Sequence, residues 1–174
     1  MEHLNRLDLP AWLARFGAIF EHSPWVAEGA WRRKERFGPF SSADELHRAM
    51  IRTVEEAPRE KQLALVRAHP ELAGGEALTV DSTSEQARLG FNRLSKAELE
   101  QMNSLNRRYR EKFGFPCIVA LRLHANRASV MDEMARRLGN NAETELAGAL
   151  EQIGHITRGR LDKLLGEGRG EDDG

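Results

Sequence analysis

The chain holds a single cysteine, Cys117, among 174 residues, which excludes an intramolecular disulfide and leaves a multi-thiolate metal centre without ligands. That usage fits a reducing compartment, and the cytoplasm is the expected location. No run approaches the roughly 18 apolar residues of a membrane-crossing helix. The opening stretch MEHLNRLDLP lacks the basic start and apolar core of a signal peptide, and the final GEGRGEDDG is no peroxisomal address. Neither sign of charge dominates: 26 Lys plus Arg stand against 27 Asp plus Glu, so no overall field draws the chain to nucleic acid or to an anionic membrane. Any anion site must be local, and the basic run Arg32, Arg33, Lys34 and Arg36 reads as a solvated face.

Several catalytic signatures are missing as well. There is no glycine-rich phosphate loop, no His-Glu-x-x-His, no nucleophile elbow and no paired-cysteine zinc motif, which disfavours nucleotide and metal chemistry.

What remains is an ordinary globular composition, 40% hydrophobic and 30% charged, at a length suited to one domain with one core. Apolar residues recur at helical spacing. Trp12, Phe16, Ile19 and Phe20 form one stripe, and Leu99, Met102, Leu105, Tyr109 and Phe113 a second. A third, Leu146, Leu150, Ile153, Ile156, Leu161 and Leu164, is long enough for a core helix. Ser42 with Glu45, Ser82 with Glu85, and Ser95 with Glu98 have capping-box spacing, and Pro24 and Pro58 suit first helical turns. The pattern predicts helices over 9–21, 24–34, 42–56, 59–68, 83–92, 96–112, 117–123, 129–138 and 142–165. The expected fold is all-α: a compact single-domain bundle of about eight to nine helices spanning 1–166, with 167–174 as a flexible tail or linker.

Two breaks interrupt the helical text. At Ala68-His69-Pro70-Glu71-Leu72-Ala73-Gly74-Gly75, Pro70 disfavours helical geometry at the residue before it and so presents His69 at or just beyond a helix C-terminus. The second break is Phe113-Gly114-Phe115-Pro116. From the residues alone, His69, Glu85, Gln86 and Arg160 form a weak site hypothesis. Each also has a plain structural reading. His69 serves as a polar cap, Ser82 with Glu85 as a capping box, Arg160 as a solvated neighbour of Arg158, and Cys117 as an apolar filler.

Ordered motifs add specificity. His69-Pro70-Glu71-Leu72-Ala73-Gly74, Ser82-x-x-Glu85-Gln86 followed by Gly90-Phe91, Leu105-Asn106-x-x-Tyr109-x-x-Lys112-Phe113-Gly114-Phe115-Pro116, and Arg160-Leu161 together resemble the OHCU decarboxylases. Phe16-Gly17-x-x-Phe20-Glu21-x-Ser23-Pro24-Trp25 resembles that family's opening helix pair, so the likeness covers nearly the whole chain.

The resemblance implies an all-α fold, a homodimer, and a pocket using neither metal nor organic cofactor. It implies decarboxylation of 2-oxo-4-hydroxy-4-carboxy-5-ureidoimidazoline to (S)-allantoin in urate breakdown, with a functional or covalent link to urate oxidase. Carried over by position, His69 and Glu85 are the catalytic residues. Pro70, Ser82, Thr83, Ser84, Glu85 and Gln86 contact substrate, Cys117, Ile118, Val119, Ala120 and Leu121 line the pocket through their backbone, and Glu21 and Arg160 complete it. Cys117 departs from the phenylalanine common in the family, a change that a backbone contact survives. The rival reading is a non-enzymatic helical interaction module, in which His69, Glu85 and Gln86 are dispersed caps that converge on no cavity.

Overall fold

The computed structural model describes residues 1–73 and 86–167. It divides into two compact units, Met1–Leu65 with Thr157–Gly174, and Val66–Ile156. Every regular element among the described residues is helical, as the apolar spacing requires. None of these helices is long and apolar enough to cross a membrane.

In the first unit, α1 (Glu2–Asn5) precedes α2 (Leu9–Phe16), whose first turn is capped by the Asp8 carboxylate accepting from the Ala11 N–H at 2.9 Å. The predicted first helix, 9–21, is corrected: it stops at Phe16, where the Gly17 N–H bonds to the Leu13 carbonyl at 2.8 Å. Turns follow, with His22 at φ 48°, yet Ile19 and Phe20 remain buried. The apolar spacing therefore continued past the helix because the turns keep these side chains in the core.

α3 (Trp25–Phe37) packs on α2 through Trp12, fully buried, whose indole N–H donates to the Ala27 carbonyl at 2.8 Å. Lys34 departs from its expected solvated face. It is buried, lies 5.6 Å from the centre of the Trp12 ring, and donates to the Asn5 carbonyl at 2.9 Å. At α4 (Ala43–Glu55) only half of the expected capping box forms: Ser42 Oγ accepts from the Glu45 N–H at 3.2 Å, while the Glu45 carboxylate turns to the Ser41 N–H at 2.7 Å.

α5 (Arg59–Ala68) ends where Pro70 predicts. In the second unit, residues 86–88 are helical, and α6 (Lys96–Phe113) opens with a complete box joining Ser95 and Glu98. Gly114 closes α6 at φ 76°, a left-handed geometry that glycine adopts without steric penalty. The predicted helix over 117–123 is also corrected. Residues 116–120 carry no regular structure and only Leu121–Leu123 forms a 3-10 turn. Pro116 and the β-branched Ile118 and Val119 are poor material for a short helix, and side chains from elsewhere engage this backbone instead.

α7 (Arg127–Arg137) and α8 (Ala142–Glu167) supply those side chains. At the junction of α6, α7 and α8 sits a buried ion pair: Arg137 Nε and Nη2 reach Glu145 Oε2 at 3.0 and 2.9 Å. The Tyr109 hydroxyl donates to the same oxygen, and the Asn140 amide donates to Glu145 Oε1 at 2.7 Å. Burial pushes the Glu145 carboxyl upward, but the bonds from Tyr109, Asn140 and Arg137 outweigh it and hold the group below its usual range.

A carboxyl held low in the folded state contributes stability that is complete above its unfolded-state value and is lost as pH falls through the folded one. Glu145→Gln is therefore expected to flatten the acid limb of a melting-temperature profile from pH 7 to 3. Glu145→Ala, which strands Arg137, is expected to cost on the order of 3–5 kcal/mol at neutral pH by denaturant unfolding.

Candidate active site

His69 follows the last residue of α5, its N–H bonded to the Val66 carbonyl at 3.3 Å, and only 8% of its surface is exposed. It lines a recess in the second unit with Pro70, Leu72, Gln86, Cys117, Ile118, Val119, Leu121 and Ile156. The recess is small, leaving about 30 Å³ for the centres of water molecules.

Motif residues brace the chain that leaves α5. Asn106, buried in α6, donates from Nδ2 to the Leu72 carbonyl at 2.8 Å. Gln86 Oε1 accepts from the Ala73 N–H at 3.0 Å, holding that residue at φ 54°. Glu71 pairs with Arg110 at 3.0 Å. The chain leaving α5 is thus held at three consecutive residues, Glu71, Leu72 and Ala73.

One wall of the recess is Cys117–Leu121, apolar in every side chain. The Ile118 carbonyl accepts from Arg137 Nη1 at 2.5 Å, the Ala120 N–H donates to Gln152 Oε1 at 2.8 Å, and Arg88 donates to the Leu121 carbonyl. Ala120 is fully buried and does not line the recess. Burial pushes the Cys117 thiol up to about 12 even though the Arg137 cation opposes it, so the sulfur stays protonated and acts as a wall filler.

The structure brings together His69, Pro70, Gln86, Cys117, Ile118, Val119 and Leu121 among the sequence-predicted residues. Glu21 and Arg160 belong to the other unit, where they meet each other: Arg160 Nη2 lies 3.0 Å from Glu21 Oε1, and Nη1 donates to the Ile19 carbonyl at 3.3 Å. Both are buried, so the solvated reading of Arg160 does not hold. Arg158 is the partly exposed member, paired with Asp44 and Asp162. Ser82, Thr83, Ser84 and Glu85, with the third predicted capping box, lie outside the described residues.

Among the described residues, no group of three or more His, Cys, Asp or Glu side chains could hold a metal ion. A larger groove of about 640 Å³ opens in the first unit between Trp25, Arg32, Phe37 and Lys61. Size favours it, chemistry does not: it contains no histidine, and Arg32 and Arg33 are already paired with Glu28 and Glu56. The histidine recess is the better candidate.

Sequence reasoning missed Leu72 and Ile156 as lining residues, although both stand in patterns it singled out. It also missed Arg137 and Gln152, which touch the wall from outside the recess. Arg137 closes a helix beside Arg136 and looks solvated in sequence, and Gln152 sits between apolar positions of α8; no local signal marks either.

Comparison with known proteins agrees with these motifs. The OHCU decarboxylase family pattern matches residues 5–162. A 2-oxo-4-hydroxy-4-carboxy-5-ureidoimidazoline decarboxylase from Haloferax volcanii is 44% identical over 161 residues, covering 92% of this chain and 93% of that protein. The uric acid degradation bifunctional protein PucL of Bacillus subtilis is 37% identical over 167 residues, covering 96% of this chain and 33% of its own length. The crystal structure of an (S)-allantoin synthase superposes with a TM-score of 0.76 at 31% identity, over 94% of this chain and 53% of that one. With the family pattern spanning most of its length, the chain belongs to the OHCU decarboxylase family.

Proposed function

We propose that this protein decarboxylates 2-oxo-4-hydroxy-4-carboxy-5-ureidoimidazoline to (S)-allantoin, with His69 as the proton-handling group. The observation that carries the reading is the recess itself: a buried histidine and the amide of Gln86 share its lining with the apolar side chains of Cys117, Ile118, Val119 and Leu121. That convergence also disfavours the interaction-module reading, which requires dispersed caps.

The chemistry asks little of a cofactor. As the carbon–carboxylate bond breaks, its electron pair forms a double bond to the ureido-bearing carbon, and the electrons of the adjacent ring C=N pass to nitrogen, which takes a proton. The hydroxyl-bearing carbon becomes a carbonyl as its hydroxyl proton leaves, and a proton adds to one face of the ureido-bearing carbon. The protein must orient the bond, stabilise the developing ring charge and choose that face.

His69 binds the hydroxyl and donates the proton, a task matched to imidazole chemistry near neutrality. Glu85 orients His69 or the substrate's polar hydrogens. Ser82, Gln86 and Arg160 hold the ureido, carbonyl and carboxylate groups, helped by Pro70, Thr83, Ser84, Glu21 and the backbone of 117–121. The working form is a cytoplasmic homodimer of the 1–166 domain, and the bifunctional bacterial relative supports a place beside urate oxidation.

Added to urate with urate oxidase and hydroxyisourate hydrolase, the chain is expected to accelerate the appearance of optically active allantoin, followed by circular dichroism. A trace matching the enzyme-free control with folded protein would overturn the assignment. Activity is expected to survive exhaustive chelation; loss with EDTA and recovery with one divalent ion would contradict cofactor-free chemistry.

His69→Asn keeps hydrogen-bonding capacity but cannot titrate near neutrality. It is expected to stay folded and to lose roughly 10²–10⁴-fold in rate. Glu85→Ala should lower activity and, given its capping-box spacing to Ser82, cost no more than about 1 kcal/mol in stability by thermal melts.

A further inference from the structure

We propose that Gln152 and Arg137 are positioning residues of the decarboxylation, acting on substrate through the peptide groups on either side of Val119. The proposal rests on the reading of the His69 recess as the active site.

The wall residues Cys117, Ile118, Val119, Ala120 and Leu121 carry no strong hydrogen-bonding side chain, so the wall can offer a ligand only its backbone. No helix fixes that backbone at residues 116–120. Two side chains do so instead. Arg137 Nη1 donates to the Ile118 carbonyl at 2.5 Å, and Gln152 Oε1 accepts from the Ala120 N–H at 2.8 Å. Neither residue lines the recess, whereas Val119 does.

The covalent geometry makes the pairing significant. The Ile118 carbonyl and the Val119 N–H belong to one peptide unit, and the Val119 carbonyl and the Ala120 N–H to the next. The chain has no cis peptide among the described residues, so in each unit the two groups point oppositely across a planar link. Pinning the Ile118 carbonyl and the Ala120 N–H therefore turns the Val119 N–H and carbonyl away from Arg137 and Gln152.

The same bonds polarise the units. A cation on the Ile118 carbonyl strengthens the Val119 N–H as a donor, and an acceptor on the Ala120 N–H strengthens the Val119 carbonyl as an acceptor. The result is a neighbouring donor and acceptor suited to the N–H and C=O edge of a ureido or cyclic-amide group. Arg137 is itself immobilised by Glu145 and backed by Tyr109, so the anchor is rigid. Gln152 is half-buried and belongs to no ion pair, which makes it the variant least expected to unfold the protein.

The test uses Gln152→Met, which removes the acceptor at similar size, and Gln152→Glu, which restores an acceptor oxygen. Amide hydrogen exchange at Ala120, read by NMR on the full chain without substrate, is expected to be at least tenfold faster in Gln152→Met and to return toward wild type in Gln152→Glu. In the allantoin assay, Gln152→Met is expected to lose about 10- to 100-fold in kcat/KM while its melting temperature falls by only a few degrees, as one stranded buried N–H requires, and Gln152→Glu to recover most of both. Arg137→Lys, which keeps one donor and the charge, is expected to fall between wild type and Gln152→Met. Unchanged Ala120 exchange in Gln152→Met, or faster exchange with wild-type kcat/KM, would overturn the proposal. A wild-type chain that is inactive while the exchange difference appears would overturn the active-site reading instead, because the exchange arm needs no turnover.

Discussion

The buried pairing of Arg137 with Glu145 is the constraint on which the second unit depends. Two charges taken from water are stable together only when nearly every polar position around them is engaged, and here Tyr109, Asn140 and the Ile118 carbonyl complete the set. Each partner comes from a different segment. The pair therefore holds α6, the end of α7 and the start of α8 in one arrangement, and it extends that arrangement into a stretch of chain with no secondary structure of its own. An apolar replacement could fill the space, but it could not hold a peptide carbonyl at a chosen angle.

The recess shows the same division of labour. Side chains that face it are mostly apolar, and its polar character comes from His69, Gln86 and peptide groups held from outside. Asn106 on the Leu72 carbonyl, Gln86 on the Ala73 N–H, Arg137 on the Ile118 carbonyl and Gln152 on the Ala120 N–H are four instances of one device. A side chain supplies to irregular backbone the partner that a helix would have supplied, and leaves the opposite peptide group for other use. If the recess is the reaction site proposed above, its apolar walls suit decarboxylation, because charge that moves from a carboxylate into a ring is more strongly influenced by fixed dipoles where water is scarce.

Much of this was legible in the chain. The all-helical class followed from apolar spacing, the end of α5 and the place of His69 just beyond it from Pro70, and the stop of α6 from Gly114. The errors share a cause. The stripe through Trp12, Phe16, Ile19 and Phe20 predicted helix to 21, yet turns after Gly17 serve the same core positions. The apolar run after Pro116 was read as helix because burial and helicity leave the same mark in a short segment. Lys34 looked like one more exposed cation, and it is buried over Trp12.

From the sequence came the all-helical class, the starts and stops of several helices and the residues that carry the family's motifs, since these depend on spacing, caps and backbone restrictions within a few residues. The tertiary structure alone shows that Arg160 and Glu21 are buried against each other, that Leu72 and Ile156 join the lining of the recess, and that Arg137 and Gln152 hold its wall. Those outcomes rest on contacts between residues far apart in the chain, where burial and the need to satisfy buried polar groups select the partner and local pattern carries no record of the choice.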